Sequence, residues 1–497
     1  MRSERRGLSR RTFLAASVVA AASSACAGHP GSARRVDPAA RDAAITTTEA
    51  ARPHTGRTVT AALTPQSVDV DLGGPIARTL AFGDAVPAPV IRANVGDEVA
   101  VTVANRLDHP TSVHWHGIAI RNDMDGAEPA TPNIPAGGDF TYRFSVPDAG
   151  THWAHPHTNG LDADRGLYVP LIVDDPAEPG RYDAEWIVVL DDWTDGVGPS
   201  PQQIYDGLHR MGGMSGMGPM AMGRGGTSAL LGGDAGDVSY PYYLINGRIP
   251  AAPTTFSAKP GQRIRLRIIN AGSDTAFRVA LAGHPMTVTH TDGYPVTPMD
   301  VDAVLVGMGE RYDVVVTAGD GVFPLVAMAE GKNALARALL VTGAGSAPDA
   351  ALLPAELNGQ VGTVDILTAA PQAQLDRAPA DVALAAVLTG GMMGYAWAIN
   401  GRSHPDDEPL MIYEGQRATL TFENRTAMWH PMHLHGHTFE VTGPNGRPGP
   451  SKDTVIVRPW QTVGVALVAD NPGTWMLHCH NGYHQEAGMM TSLDYAV

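Results

Sequence analysis

The chain has 497 residues, with 35 Lys and Arg against 51 Asp and Glu, a net charge of −16. That balance argues against nucleic acid as a partner, because phosphate binding needs a positive footprint. A hydrophobic content of 43% excludes wholesale disorder, and at about 150 residues per domain the length suggests three domains.

Residues 1–25 open with Arg2, Arg5, Arg6, Arg10 and Arg11, followed by Phe13, Leu14 and an Ala/Val-rich run. A basic stretch followed by an apolar one is the order of an export signal. Ser9-Arg10-Arg11-Thr12-Phe13-Leu14 resembles the twin-arginine motif. The expected location is therefore the cell envelope or a periplasm-like space. Ser23-Ser24-Ala25-Cys26 looks like a degenerate lipoprotein cleavage site without its usual Leu, which leaves membrane anchorage through a lipidated Cys26 open. Only Cys26 and Cys479 occur; loss or lipidation of Cys26 leaves no intramolecular disulfide. Residues 26–56 read as a tether.

From Thr58 onward, short β-like runs alternate with turn signals. Val99–Val103, Ile187–Leu190, Ile264–Ile269 and Tyr312–Val316 are examples, and their alternation fits strands with one buried face. A weak repeat is visible. Ala93-Asn-Val-Gly, Ala258-Lys-Pro-Gly and Ile412-Tyr-Glu-Gly each lead into a strand ending at Asn105, Asn270 and Asn424, spaced by 165 and 154 residues. Three copies of one β-sandwich unit account for this, placed at 57–176, 177–345 and 370–497, with residues 346–369 as a linker. Residues 211–226, MGGMSGMGPMAMGRGG, carry Met211, Met214, Met217, Met220 and Met222 among glycines. So much Gly predicts a surface loop, not a helix or strand.

Ten of the 19 histidines fall in four clusters: His114-Trp-His116, His155-Pro-His157, His430-Pro-Met-His433-Leu-His435 and His478-Cys479-His480-Asn-Gly-Tyr-His484. Each contains a His-x-His step. In a strand, residues i and i+2 share a face, so four steps can converge eight imidazoles. Zinc seldom takes more than four protein ligands per ion, and eight imidazoles point to a multinuclear site. In the last cluster Cys479 faces away from His478 and His480. Two His, a Cys thiolate and a weak axial Met, here Met489, make the ligand set of a blue-copper centre.

At these motifs the sequence resembles the three-domain multicopper oxidases: laccases, ascorbate oxidase and cuprous oxidases. The resemblance covers about residues 57–497. SVHWHGIAIRNDMDGAEPATPNI, YPYYLINGRIP, THTDGYPV and HCHNGYHQEAGM look closest to actinobacterial exported enzymes of copper tolerance. It implies an all-β fold of three consecutive cupredoxin-like Greek-key sandwiches. It also implies four copper ions. His430, Cys479, His484 and Met489 would bind type 1 copper, and His114 and His433 type 2. His116, His155 and His480 would hold one type 3 ion, and His157, His435 and His478 the other. The trinuclear site would lie between domains 1 and 3.

The implied reaction takes single electrons from a reductant, passes them through Cys479 and reduces dioxygen to water. Asp125 stands where relatives keep a carboxylate for proton supply; as a bare turn residue it would need no such role. The residue directly after His484 is Gln485, which cannot supply a proton, and Glu486 is the candidate for a second relay member. Thioethers select Cu(I), so the methionines of 211–226 favour cuprous ion as the substrate in copper detoxification. Laccase-type oxidation of phenols or aromatic amines is the alternative. A non-enzymatic envelope scaffold and a copper nitrite reductase fit the intact ligand set poorly. His437 reads as structural, His152 as a non-ligand without a clear role, and His284 and His290 as ordinary polar residues. A monomer is the simplest expectation.

Overall fold

The computed structural model describes residues 38–178, 180–212, 226–443 and 446–496. The export signal, Cys26 and Met214, Met217, Met220 and Met222 lie outside the described residues.

One strand plan occurs three times. Thr58–Leu63 pairs in parallel with Glu98–Ala104, which pairs antiparallel with Asp139–Ser145. Ala184–Trp193, Arg263–Asn270 and Arg311–Thr317 repeat this arrangement. So do Val382–Gly391, Arg417–Asn424 and Thr462–Val468. A second sheet in each unit repeats an equivalent parallel pair. These pairs join Ile91–Asn94 to Val169–Asp174, Thr254–Ser257 to Ala334–Val341, and Leu410–Tyr413 to Met490–Ala496. The molecule is thus three cupredoxin-like β-sandwiches.

The repeated sequence signals explain the repeated geometry. Each Gly of the repeat sits third in a turn closed by a backbone bond, from Asp97 to Asn94, Gln262 to Lys259 and Gln416 to Tyr413. Gly96, Gly261 and Gly415 have φ of 80°, 80° and 81°. A type II turn needs positive φ at that position, which Gly adopts without a side-chain penalty. The three asparagines do one job in three places. The side-chain oxygens of Asn105, Asn270 and Asn424 accept the N–H two residues on, at 2.9 Å each. Their amides donate to the carbonyls of His109, Thr275 and Met428 at 2.9, 2.8 and 2.7 Å. Each pins the chain where it leaves the strand. Between turn and Asn, alternate residues enter the core: Ile264, Leu266 and Ile268, then Ala418, Leu420 and Phe422, all buried. A buried side chain of the larger kind contributes roughly 1.5–3 kcal/mol.

Three sequence expectations need correction. Half of the supposed tether is an α-helix, Pro38–Ala51, with Ile45 buried. Glu49 accepts the Ser145 N–H at 2.9 Å, and Arg52 donates to the Asn471 side chain at 3.0 Å. These contacts fasten the segment to the first and third sandwiches. The linker 346–369 is not free either: its strand Val361–Gly362 extends a domain 2 sheet beside Ala303–Val306. The methionine segment begins inside a helix, because Met211 and Gly212 close Pro201–Gly212. No described helix is long and apolar enough to cross a membrane.

Candidate metal centre

Two short antiparallel pairings bring the histidine motifs together. His114–His116 pairs with Gly150–His155, setting His114 opposite His155. His430–Leu434 pairs with Thr474–Cys479, setting His433 opposite His478 and Met432 opposite Cys479. All of these histidines are buried.

Eight rings from the first and third sandwiches meet. Nε2 of His478 lies 3.0 Å from Nε2 of His435 and 3.3 Å from Nε2 of His157. Nε2 of His114 lies 3.4 Å from Nε2 of His433. His116, His155 and His480 form a looser set, with ring centroids 4.9 to 5.8 Å apart. His116 Nδ1, His155 Nε2 and His480 Nε2 are buried and have no hydrogen-bond partner among the described residues. Burial, with repulsion among the rings, holds the pKa values of His116, His155, His157, His435, His478 and His480 well below the usual imidazole range. The rings are therefore neutral, with lone pairs available to a cation.

The outward ring nitrogens are tied down. Nδ1 of His435 meets Asp125 Oδ2 at 2.9 Å, and Nδ1 of His114 meets the Asp125 carbonyl at 3.0 Å. Nδ1 of His433 meets the Asp453 carbonyl at 2.9 Å, and Nδ1 of His478 the Cys479 carbonyl at 3.0 Å. His155 bonds the Pro156 carbonyl at 2.9 Å, and His116 Nε2 faces Asp453 Oδ1 at 3.1 Å. A ring N–H donated to such an acceptor fixes the tautomer and aims the opposite nitrogen inward, as metal ligands require. Unpartnered, convergent, neutral nitrogens fit copper.

His430, Cys479 and His484 form a separate centre. Cys479 Sγ lies 3.6 Å from His430 Nδ1 and 3.7 Å from His484 Nδ1, and those two nitrogens are 3.1 Å apart. The free thiol is fully buried, and burial pushes its pKa up. Only a bound cation would hold it as thiolate. Met489 is buried too, and its carbonyl accepts the Cys479 N–H at 3.0 Å. Asn481 caps the helix Gly482–Glu486 that carries His484, accepting the N–H groups of Tyr483 and His484. The outer nitrogens are held by Thr426 Oγ1 for His430, at 2.8 Å, and Asp237 Oδ2 for His484, at 3.1 Å.

Asp125 is a buried residue behind two rings, not a bare turn position. Glu486 lies at the surface, with its carboxyl beside the Gly160 N–H. His437 bridges the His435 carbonyl and the Tyr495 hydroxyl at 3.0 and 2.6 Å. His284 is satisfied by the Ala282 carbonyl and the Gly319 N–H. His290 contacts Thr289 Oγ1 at 3.0 Å. Burial pushes the pKa of His152 down to about 3, and neither of its ring nitrogens has a partner among the described residues.

Sequence reasoning missed Asp453, Arg311 and Asp237. Arg311 donates to both Asp453 oxygens, at 2.7 and 2.6 Å. Burial opposes the Asp453 charge, but Arg311 together with the His116 and His433 hydrogen bonds outweighs it and holds the carboxyl well below its usual range. Domain 2 also presses Gly309 against His116 and His480, where a Cβ would come within 3.0 Å of both rings.

Family models described as Multicopper oxidase match residues 66–178, 184–345 and 376–496. The multicopper oxidase MmcO of Mycobacterium tuberculosis is 62% identical over 497 residues, covering 99% of this chain and 98% of that protein. The copper resistance protein A homolog of Pseudomonas syringae pv. tomato is 28% identical, over 86% of this chain and 90% of its own length. A solved multi-copper oxidase from Pseudomonas thermotolerans aligns with a TM-score of 0.67 at 28% identity, covering 88% of this chain and 99% of that one.

Proposed function

The chain belongs to the multicopper oxidases, and on that premise we propose how its donors divide among four copper ions. His430, Cys479, His484 and Met489 hold the type 1 ion, and His114 and His433 the type 2 ion. His116, His155 and His480 hold one type 3 ion, and His157, His435 and His478 the other. Members of this family are copper-dependent oxidoreductases that use dioxygen and a reducing substrate. When bound, copper supplies single-electron uptake at the first centre and dioxygen reduction at the other.

One observation carries this reading. Cys479 reaches His430 and His484 on one side, while its chain neighbours His478 and His480 belong to the eight-ring cluster on the other. Two peptide units thus give electrons a covalent route between the centres. Asp125 and Asp453 hold the rings of both sandwiches in register.

The proposed reductant is Cu(I), with phenols or aromatic amines as the second reading. Both type 1 imidazoles are fully buried. Trp397 covers His484 with ring centroids 4.2 Å apart, and Tyr395 and His484 share the Asp237 carboxylate. Neither ring edge is exposed, so a reductant of either kind passes its electron through these outer residues. The names of copper-resistance relatives and the soft donors of 211–226 support the choice of Cu(I). Deleting 211–226 should lower the rate of Cu(I) oxidation roughly tenfold, equivalent to about 1.4 kcal/mol, and spare phenol oxidation. Oxygen uptake with each reductant measures this; equal loss of both would refute the role of the methionines. Export by residues 1–25, a monomeric state and optional anchorage through Cys26 belong to the same proposal, and intact-mass measurement of exported protein tests the anchorage.

A further inference from the structure

Dioxygen reduction consumes protons, yet the position after His484 holds the amide Gln485. Gln485 is buried and lines a narrow cleft reaching the rings of His155 and His480, together with Gly160, Ala163 and Ser273. Among the described residues no carboxylate lines this cleft, and Glu486 reaches only its outer edge at Gly160. A carboxyl group stands directly behind its wall. Asp164, on the turn Gly160–Arg165 beside Ala163, is 1% exposed. Its Oδ2 accepts the Tyr483 hydroxyl at 2.6 Å, Tyr240 lies at 3.4 Å from Oδ1, and the Ser273 hydroxyl faces the carboxyl.

The charges around Asp164 are unbalanced. Asp191 and Asp192 face it from the strand Ala184–Trp193. The cation of this region, Lys332, is bonded to Asp274 at 2.7 Å. Neither Asp164 nor Asp191 has an ion pair among the described residues; each instead takes a tyrosine hydroxyl, from Tyr483 and Tyr168 at 2.6 Å. Burial first, and the Asp192 charge second, raise Asp164 well above the ordinary carboxylate range. Burial without a cation favours the neutral, protonated form of Asp164.

We propose that Asp164 supplies protons for dioxygen reduction, through the Ser273 hydroxyl into the cleft at His155 and His480. The Asp164 O–H proton moves to Ser273 Oγ as the Ser273 proton passes to water in the cleft. The carboxylate left behind keeps the hydroxyl donors of Tyr483 and Tyr240 until a proton returns from solvent. Four such transfers accompany the four electrons that convert one dioxygen to two waters. This rests on the placing of His155 and His480 at the trinuclear centre, which the copper content of the unaltered protein checks separately.

Asp164→Asn keeps the shape and removes the acid. In the copper-loaded full chain, copper content, blue colour and the anaerobic rate of bleaching by reductant should be unchanged. Oxygen uptake should fall about a hundredfold, within the usual range for a lost general acid, and should now rise steadily as pH falls. Adding Gln485→Glu, which puts an acid in the cleft, should restore most of the loss. The infrared difference spectrum between copper-free native protein and Asp164→Asn should contain one neutral-carboxyl band that shifts in heavy water, assigned to Asp164 and separate from that of Asp191. Ser273→Ala, which breaks the line and leaves the carboxyl in place, should slow oxygen uptake and keep the band. Native uptake and pH profile in either variant, absence of the band, or loss of copper from Asp164→Asn would each overturn the proposal.

Discussion

Cys479→Ser abolishes oxygen uptake with every reductant, Cu(I) and phenols alike, while the chain stays folded. The substitution exchanges one buried atom for a slightly smaller one, so packing changes little. It removes the sulfur that lies 3.6 and 3.7 Å from the two imidazoles. A hydroxyl does not become the thiolate that a blue-copper centre needs. The eight rings of the other cluster do not touch Sγ, so their copper should stay bound. Oxygen-electrode rates, the visible spectrum and the far-ultraviolet circular dichroism of one preparation together test this. Residual turnover with any donor would show another route for electrons.

Arg311→Met costs the copper-free protein about 3–5 kcal/mol, the usual penalty for breaking a buried ion pair on one side. Arg311 and Asp453 are at 0% and 1% exposure. The guanidinium also donates to the carbonyls of Thr151 and Gly309 at 2.9 and 3.1 Å. Without it, the Asp453 charge is left uncompensated beneath His116 and His433. Adding Asp453→Leu should recover part of the loss, because two apolar groups leave no stranded charge. Urea midpoints of the two variants measure both effects. A single variant as stable as the native chain would mean that solvent or another cation reaches Asp453.

The ring clusters were legible because a strand turns a two-residue spacing into a shared face. His114 with His116 and His478 with His480 needed no other information. The repeat was legible for a similar reason, since the positive φ at Gly96, Gly261 and Gly415 and the loop-pinning of Asn105, Asn270 and Asn424 are local demands on single residue types. Asp453, Arg311 and Asp237 left no such trace. Each is one charged residue among many, and its role comes from a fold that brings it across from a distant part of the chain. The helix Pro38–Ala51 hid inside an Ala- and Thr-rich run, and its docking rests on Glu49 and Arg52 meeting residues far along the sequence. The cover over His484 was equally hidden, because Asp237 and Tyr395 come from different sandwiches.

Copper analysis of the fully loaded protein, read beside its visible spectrum, tests the division into two centres most directly. Four ions per chain with an intense blue band, falling to three without the band in Cys479→Ser, is the predicted result. Fewer than four ions in the unaltered chain, or a blue band that survives the serine substitution, would contradict it.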